Sequence, residues 1–248
     1  MANALSSSQL PGFHCQPTLA DLHASADTYN GLVDSEELRS EISPMHLQNL
    51  TKIFVKYNVH SRLGVHFIHG HSKLATGTVM LRHILTEPSG CWTKPVTIEE
   101  LDLATVQGHI FKLVAGDQFV AYEYAECRVN DVSDISFDFI RELVDYLRSN
   151  SLEGAVGLQI LGQDAGKMVE FDLGDCGTVM LKDQGTRHGD PFRTTGWVFT
   201  SEEGVISFKG QETHAPTVKG PHKVLIDGKL APNIPALRGI LKRFGVIS

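Results

Sequence analysis

The sequence predicts an α+β fold, in which a mostly antiparallel sheet is built from hairpins and three to four helices pack on it. Strand-like segments follow one another across short glycine-containing turns, as hairpins require. Helical segments do not alternate regularly with strands, as they would in a doubly wound parallel sheet. Because the first residues are weakly patterned and no linker interrupts the rest, we expect residues 1–30 to form a weakly ordered arm and residues 31–248 a single domain.

Four segments have the features of helices. The segment that follows Ser43 begins with a capping residue and a proline, and apolar residues then recur at helical spacing. Residues 136–148 carry the strongest apolar stripe of the chain. A capping box predicts a short helix through about Val106, and an Asn-Ile-Pro sequence opens the last helix. These helices are expected to begin near Ser43, Thr97, Ser136 and Asn233.

Aromatic and β-branched residues mark the strands. The clearest hairpin joins residues 109–114 to residues 118–125 across the turn Ala115-Gly116-Asp117. Two further hairpins are expected, and they join 168–173 to 178–181 and 197–200 to 205–209. Additional strands are predicted at 65–71, 77–81 and 156–161.

Composition limits the partners and the compartment. The 248 residues have a formal net charge of -7, so the chain lacks the positive charge with which proteins bind phosphate backbones or anionic membranes. No segment approaches the ~18–20 consecutive apolar residues of a membrane-spanning helix. The 4 cysteines form no C-x-x-C pair and the N-terminus does not have the pattern of a secretory signal. We therefore expect a cytoplasmic protein that binds neither nucleic acid nor membrane.

Several common enzyme motifs are absent from the sequence. It contains no G-x-x-x-x-G-K-[ST], and no G-x-G-x-x-G follows a predicted strand, so we expect no nucleotide cofactor. Neither G-x-S-x-G nor H-E-x-x-H occurs. These absences remove the most readily identified enzyme classes without excluding catalysis.

The most informative feature is a histidine cluster. Of the 12 histidines, His60, His66, His69 and His71 fall within one short segment. If residues 65–71 are extended, His69 and His71 point to the same side of the strand and His66 points to the other. Two imidazoles at i and i+2 can bind one divalent metal ion, for which zinc and iron are the candidates.

The hairpin at 109–125 offers a third ligand. His109 and Glu123 are both expected among apolar neighbours, where a polar side chain without a partner is costly. We therefore predict His69, His71, His109 and Glu123 as catalytic residues, and His69, His71 and Glu123 as metal ligands. Two histidines and a carboxylate leave coordination positions open for water or substrate.

Two other interpretations of the same histidines remain open. They could act as an acid and a base without a metal, because histidine titrates near neutral pH, or they could form structural hydrogen bonds. Glu123 could equally form a salt bridge. The sequence also leaves open whether His188, His214 and His222, which stand in polar loop-like segments, join the site.

The stretch from Val59 to Met80 contains Leu63-Gly64, His69-Gly70-His71 and Thr78-Val79-Met80. It resembles an N-terminal segment found in a group of uncharacterised fungal cytosolic proteins of about this length, with an L-x-H-x-H-like strand segment. Ile68 fits that pattern, whereas Gly70 stands where the group often has a basic residue. The resemblance implies a fungal cytosolic protein and implies no activity.

We expect a small-molecule enzyme of the lyase, isomerase or hydrolase type that uses this histidine-based site, with a divalent metal as its possible cofactor. The alternative is a non-catalytic binding module for a hydrophobic metabolite or a partner protein, in which the histidines are structural. The sequence does not indicate an oligomeric state.

Overall fold

The computed structural model describes residues 9–33, 42–126, 130–162, 167–182, 193–214 and 234–243. These residues form ten strands and four α-helices. The helices are α1 (Leu19–Asn30), α2 (Pro44–Lys56), α3 (Phe137–Ser149) and α4 (Ile234–Arg243). The strands are β1 (Leu63–Phe67), β2 (Thr78–Leu85), β3 (Gly90–Thr97), β4 (Gln107–Val114), β5 (Gln118–Ala125), β6 (Val156–Ile160), β7 (Met168–Asp172), β8 (Thr178–Lys182), β9 (Arg193–Glu202) and β10 (Val205–His214).

The strands close into one mixed barrel in the order β1-β6-β4-β5-β2-β3-β8-β7-β10-β9, and β9 pairs back to β1. The expected α+β arrangement of helices on a mostly antiparallel sheet is therefore wrong. Four pairs of consecutive strands form antiparallel hairpins, but β2 with β5 and β7 with β10 pair in parallel. These pairings join strands that are far apart in sequence, so turn and alternation patterns carry no sign of them.

The three predicted hairpins are confirmed as β4–β5, β7–β8 and β9–β10. Strand β3 was not predicted, and its pairing with β2 makes a fourth hairpin. The strand predicted at 65–71 ends at Phe67, which matters for the histidines that follow.

Local capping explains where the helices begin. The Ser43 side chain accepts a hydrogen bond from the His46 amide, and Pro44 occupies the first turn of α2, as predicted. Ser136 caps α3 in the same way. The capping box at 97–100 leads only to a single 3-10 turn, Ile98–Glu100. Helix α1 was not predicted and lies within residues 1–30, where Thr18 and Asp21 form a capping box.

The two faces of the barrel wall have different surroundings. Val65 and Phe67 of β1 belong to the main apolar core, together with Leu50 and Phe54 of α2 and Phe139 of α3. Helices α2 and α3 therefore cover the outer face of the wall on this side. No helix within the described ranges is long and apolar enough to span a membrane.

Side chains on the opposite face of the strands point into the barrel, because residues alternate along a strand. The interior is buried, yet it contains many polar and charged side chains. The polar side chains that share it are His66, Arg82, His109, Glu123, Gln159, Glu170, Asp172 and Glu212.

Candidate functional site

His69 and His71 come together with Glu170. The chain leaves the sheet after Phe67, so the histidines are not held by strand alternation as expected. Their rings nevertheless lie edge to face, with centroids 4.7 Å apart. One ligand atom from each of His69, His71 and Glu170 lies within 4.8 Å of the others, so the three residues could hold a metal ion.

Glu170 links the two imidazoles. Its Oε1 atom lies 3.1 Å from Nε2 of His71, and its Oε2 atom lies 3.9 Å from Nε2 of His69. The side chains of His69, His71 and Glu170 are only 2%, 6% and 3% exposed. The group therefore lies in a space with little water, where a bound ion would interact strongly with its ligands.

The nitrogens that point away from Glu170 have different surroundings in the two imidazoles. Nδ1 of His69 donates to the carbonyl oxygen of Phe67 at 2.6 Å, and Nδ1 of His71 faces Oδ2 of Asp172 at 3.7 Å. Metal-bound histidines are usually oriented by a hydrogen bond to a carbonyl or a carboxylate from the nitrogen that does not bind the metal, as His69 is by Phe67. The Nε2 atoms are consequently the ones that face Glu170.

The carboxylates around His71 favour a positive charge at this position. Burial lowers the pKa of His71, but the charges of Glu170 and Asp172 outweigh burial and raise the pKa to about 10. Without a metal, the imidazole therefore carries a proton at neutral pH.

A second polar group adjoins the first. The ring of His66 stacks on the ring of His69, with centroids 5.3 Å apart and planes 22° from parallel. Nδ1 of His66 donates to Oε2 of Glu212 at 3.1 Å, and the Gln159 amide donates to Oε1 of Glu212 at 3.0 Å. Burial raises the pKa of Glu212, but the hydrogen bond and charge of His66, together with the charge of Arg82, outweigh burial and lower it.

His109 is in the interior but not in the metal-ligand group. Its Nε2 atom accepts a hydrogen bond from Nη1 of Arg82 at 2.5 Å. Burial, together with the charges of Arg82 and His66, lowers the pKa of His109 well below its usual value. This imidazole is therefore neutral at physiological pH.

Glu123 lies near the group without being part of it. It pairs with Met80 across β5–β2 and with Ile110 across β5–β4. Burial raises the pKa of Glu123 to about 7, and the charges of His66 and His71 only partly oppose this rise. The carboxylate within ligand distance of His69 and His71 is that of Glu170, not of Glu123.

Glu170 and Asp172 were not among the residues predicted for the site. Both lie on β7, where the sequence Met-Val-Glu-Phe-Asp alternates so that the two carboxylates share one face and Phe171 occupies the other. This is the same i, i+2 pattern that drew attention to His69 and His71, so it could have been recognised in the strand.

The other histidines named in the sequence are not part of the ligand group within the described residues. His60 lies before β1 and is not in the ligand group. His214 pairs with Glu170 across β10–β7, at the end of the last strand. His188 and His222 lie outside the described residues.

No protein-family model, curated protein or solved structure matches this chain.

Proposed function

We propose that this protein is a small-molecule enzyme of the lyase, isomerase or hydrolase type, with a divalent metal ion bound by His69, His71 and Glu170. One observation carries the proposal. Both imidazoles turn Nε2 towards the same buried carboxylate, and Nδ1 of His69 donates to a backbone carbonyl. A hydrogen bond on the nitrogen opposite the ligand nitrogen, as in His69, is typical of histidines that bind metal ions.

The charges of the interior are consistent with a bound cation. Arg82 has a permanent positive charge and the pKa values of His66 and His71 are raised, whereas the carboxyl groups that share this interior are those of Glu123, Glu170, Asp172 and Glu212. Buried carboxylates are costly unless paired, so a divalent ion would stabilise the group. The proton on His71 and the metal would compete for one position.

A set of three protein ligands is typical of catalytic rather than structural metal sites. Structural zinc is bound by four protein ligands, whereas a catalytic ion keeps a position open for substrate. Imidazole and carboxylate ligands suit zinc or iron. Such an ion, when bound, polarises the oxygen of a substrate carbonyl or carboxyl group.

Glu123 is suited to proton transfer at such a site. A general acid or base works best when its pKa lies near the operating pH, and the pKa of Glu123 is raised to about 7. In this proposal Glu123 exchanges a proton with the substrate, while Asp172 supplies a negative charge beside His71. Because the ligand group is almost fully buried, the substrate must be small.

Metal analysis of untagged protein tests the proposal. We expect zinc or iron at close to one ion per chain, and its loss in the His69→Ala, His71→Ala double variant. A His23→Ala, His83→Ala double variant, which changes the same number of histidines outside the ligand group, should retain the metal. Circular dichroism shows whether both variants fold. Absence of metal after metal-replete growth, or equal metal in both variants, would contradict the proposal.

One observation favours the alternative of a non-catalytic binding module. A cleft of about 260 Å³ lies between α2 and the barrel wall, and Leu47, Phe67, Trp197 and Phe208 are among its lining residues. Apolar clefts of nearly this size hold small hydrophobic metabolites. In that case hydrophobic ligands would change the fluorescence of Trp197, and the histidine double variant would bind them unchanged.

A further inference from the structure

Arg82 places a positive charge inside the barrel, on the wall formed by β2. Val79 and Leu81 belong to the outer core, whereas Met80 belongs to an inner cluster with Tyr122. Arg82 shares the side of Met80, because side chains alternate along the strand. Burial lowers the pKa of this guanidinium, but the Cys91 sulfur and then the charges of Glu212 and Glu123 outweigh burial and raise it.

The partners of Arg82 hold it in place but do not neutralise it. Its Nη1 atom donates to Nε2 of His109 at 2.5 Å, and the thiol of Cys91 lies beside it. His109 is neutral, so it can accept this hydrogen bond without contributing a negative charge. A guanidinium has five N–H donors, and most of them remain for another acceptor.

Other arginines of the protein are paired differently. Arg62 contacts Asp134 at 2.5 Å, and Arg148 contacts Asp117 at 3.0 Å. Arg82 forms no ion pair within 4.0 Å with any residue in the described ranges. A half-buried guanidinium that is oriented by a neutral imidazole and lacks a carboxylate is an arrangement ready to receive an anion.

We propose that Arg82 binds the carboxylate group of a small-molecule substrate inside the barrel. This inference rests on the proposed function and adds a substrate class to it: a small carboxylic acid whose reacting part faces the ligand group of His69, His71 and Glu170. His109 is a positioning residue, because it holds the guanidinium and does not touch the substrate.

Charge favours a carboxylate over a phosphate ester. The planar guanidinium fork matches the two oxygens of a carboxylate and provides one positive charge. Glu123 and Glu212 lie close enough to affect Arg82, so a doubly charged phosphate would meet about twice the repulsion that a singly charged carboxylate meets.

Ligand binding to the metal-free protein tests this inference. Bound metal is removed with a chelator, and the chelator is then removed by dialysis, so that neither can interact with the probes. Acetate, pyruvate, succinate and benzoate are titrated while the melting temperature and the NMR spectrum are recorded. We expect at least one of them to bind, and to bind at least 10-fold more tightly than its amide.

Variants separate the role of Arg82 from a general charge effect. Arg82→Gln should weaken carboxylate binding at least 10-fold, whereas Arg62→Gln, which also removes an arginine but on the surface, should bind as the wild type does. Arg82→Lys keeps the charge without the fork and should be intermediate. If Arg82→Gln does not fold, Arg82→Lys and the comparison of acid with amide decide the question.

Three results would overturn the inference: no binding by any of the four acids, equal binding of acid and amide, or unchanged binding in the folded Arg82 variants. Metal binding by the same proteins is measured separately. A protein that binds metal but no carboxylate contradicts only this inference. A protein that binds carboxylates through Arg82 but no metal contradicts the metal-dependent function.

Discussion

Nδ1 of His71 faces Oδ2 of Asp172 at a distance of 3.7 Å. The other nitrogen of the same ring lies 3.1 Å from Glu170, so the imidazole lies between two buried carboxylates. In metal sites, a carboxylate in the position of Asp172 orients the histidine and makes it a better ligand. A substitution of Asp172 therefore tests the site without changing any of the proposed ligands.

Asp172→Asn should weaken metal binding by about 10- to 100-fold, because the amide no longer supplies the negative charge behind His71. Competition with a chromophoric chelator measures the dissociation constant. Asp175→Asn removes the same charge from an exposed position three residues further along and should bind metal as tightly as the wild type. Equal affinities in the two variants would show that Asp172 does not support the site.

The neutral state of His109 predicts a loss of stability in acid. The pKa of His109 is held well below its ordinary value of 6.5 by burial and by Arg82. Below pH 6.5 the unfolded chain binds a proton that the folded barrel does not, so this contribution is complete above pH 6.5 and declines towards the lowered pKa. The expected decline is about 1.4 kcal/mol of unfolding free energy per pH unit.

Urea denaturation of the wild type and His109→Gln at pH 7.5, 6.5 and 5.5 measures this contribution. The glutamine can still accept a hydrogen bond from Arg82 but does not titrate, so the stability of the variant should fall less steeply between pH 6.5 and 5.5. His23→Gln, at an exposed position on α1, should follow the wild type. Parallel curves for the wild type and His109→Gln would mean that His109 is not held neutral.

Closure of the barrel depends on glycine at position 177. Gly177 has φ 84°, and a Cβ there would overlap the carbonyl oxygen of Thr93 and come within 2.8 Å of the Cα of Lys94. Gly204 has nearly the same φ, 82°, but no atom lies within 4 Å of the place that a Cβ would occupy there. Gly204→Ala should therefore cost about 1–2 kcal/mol from backbone strain alone.

Gly177→Ala should cost at least about 2 kcal/mol more than Gly204→Ala, because the β3–β8 contact must also shift to accommodate the methyl group. Chemical denaturation of both variants gives the difference. If the two substitutions were equally destabilising, the close approach of Thr93 to Gly177 would not exist in solution.

Phe54 tests the packing of the helices on the outer face of the barrel. Its ring is fully buried and lies 5.1 Å from the ring of Phe139 on α3 and 4.6 Å from that of Phe199 on β9, measured between centroids. Phe54→Ala should lower the unfolding free energy by about 3–5 kcal/mol.

Phe137 provides the comparison for Phe54. It lies at the start of α3 and is 39% exposed, so Phe137→Ala removes a similar volume but much less buried contact. A loss of about 1 kcal/mol is expected there. A similar loss in both variants would contradict the packing of α2 between α3 and the barrel wall.

The predictions that succeeded concern neighbours in sequence. The β4–β5 hairpin follows from the Ala115-Gly116-Asp117 turn between two apolar strands, and α2 follows from Ser43, Pro44 and the apolar residues after them. Prediction was less successful where local patterns compete. Helix α1 was hidden in a segment with few apolar residues, and the capping box at 97–100 formed only one turn.

By itself, the sequence determined three of the four hairpins, three of the four helices and the presence of a histidine pair, because these depend on residues within a few positions of one another. Tertiary structure alone decided that the sheet closes, that Glu170 rather than Glu123 joins His69 and His71, and that His109 accepts a hydrogen bond from Arg82. The physical reason is that those contacts join distant strands across the barrel, and their geometry exists only once the wall has closed.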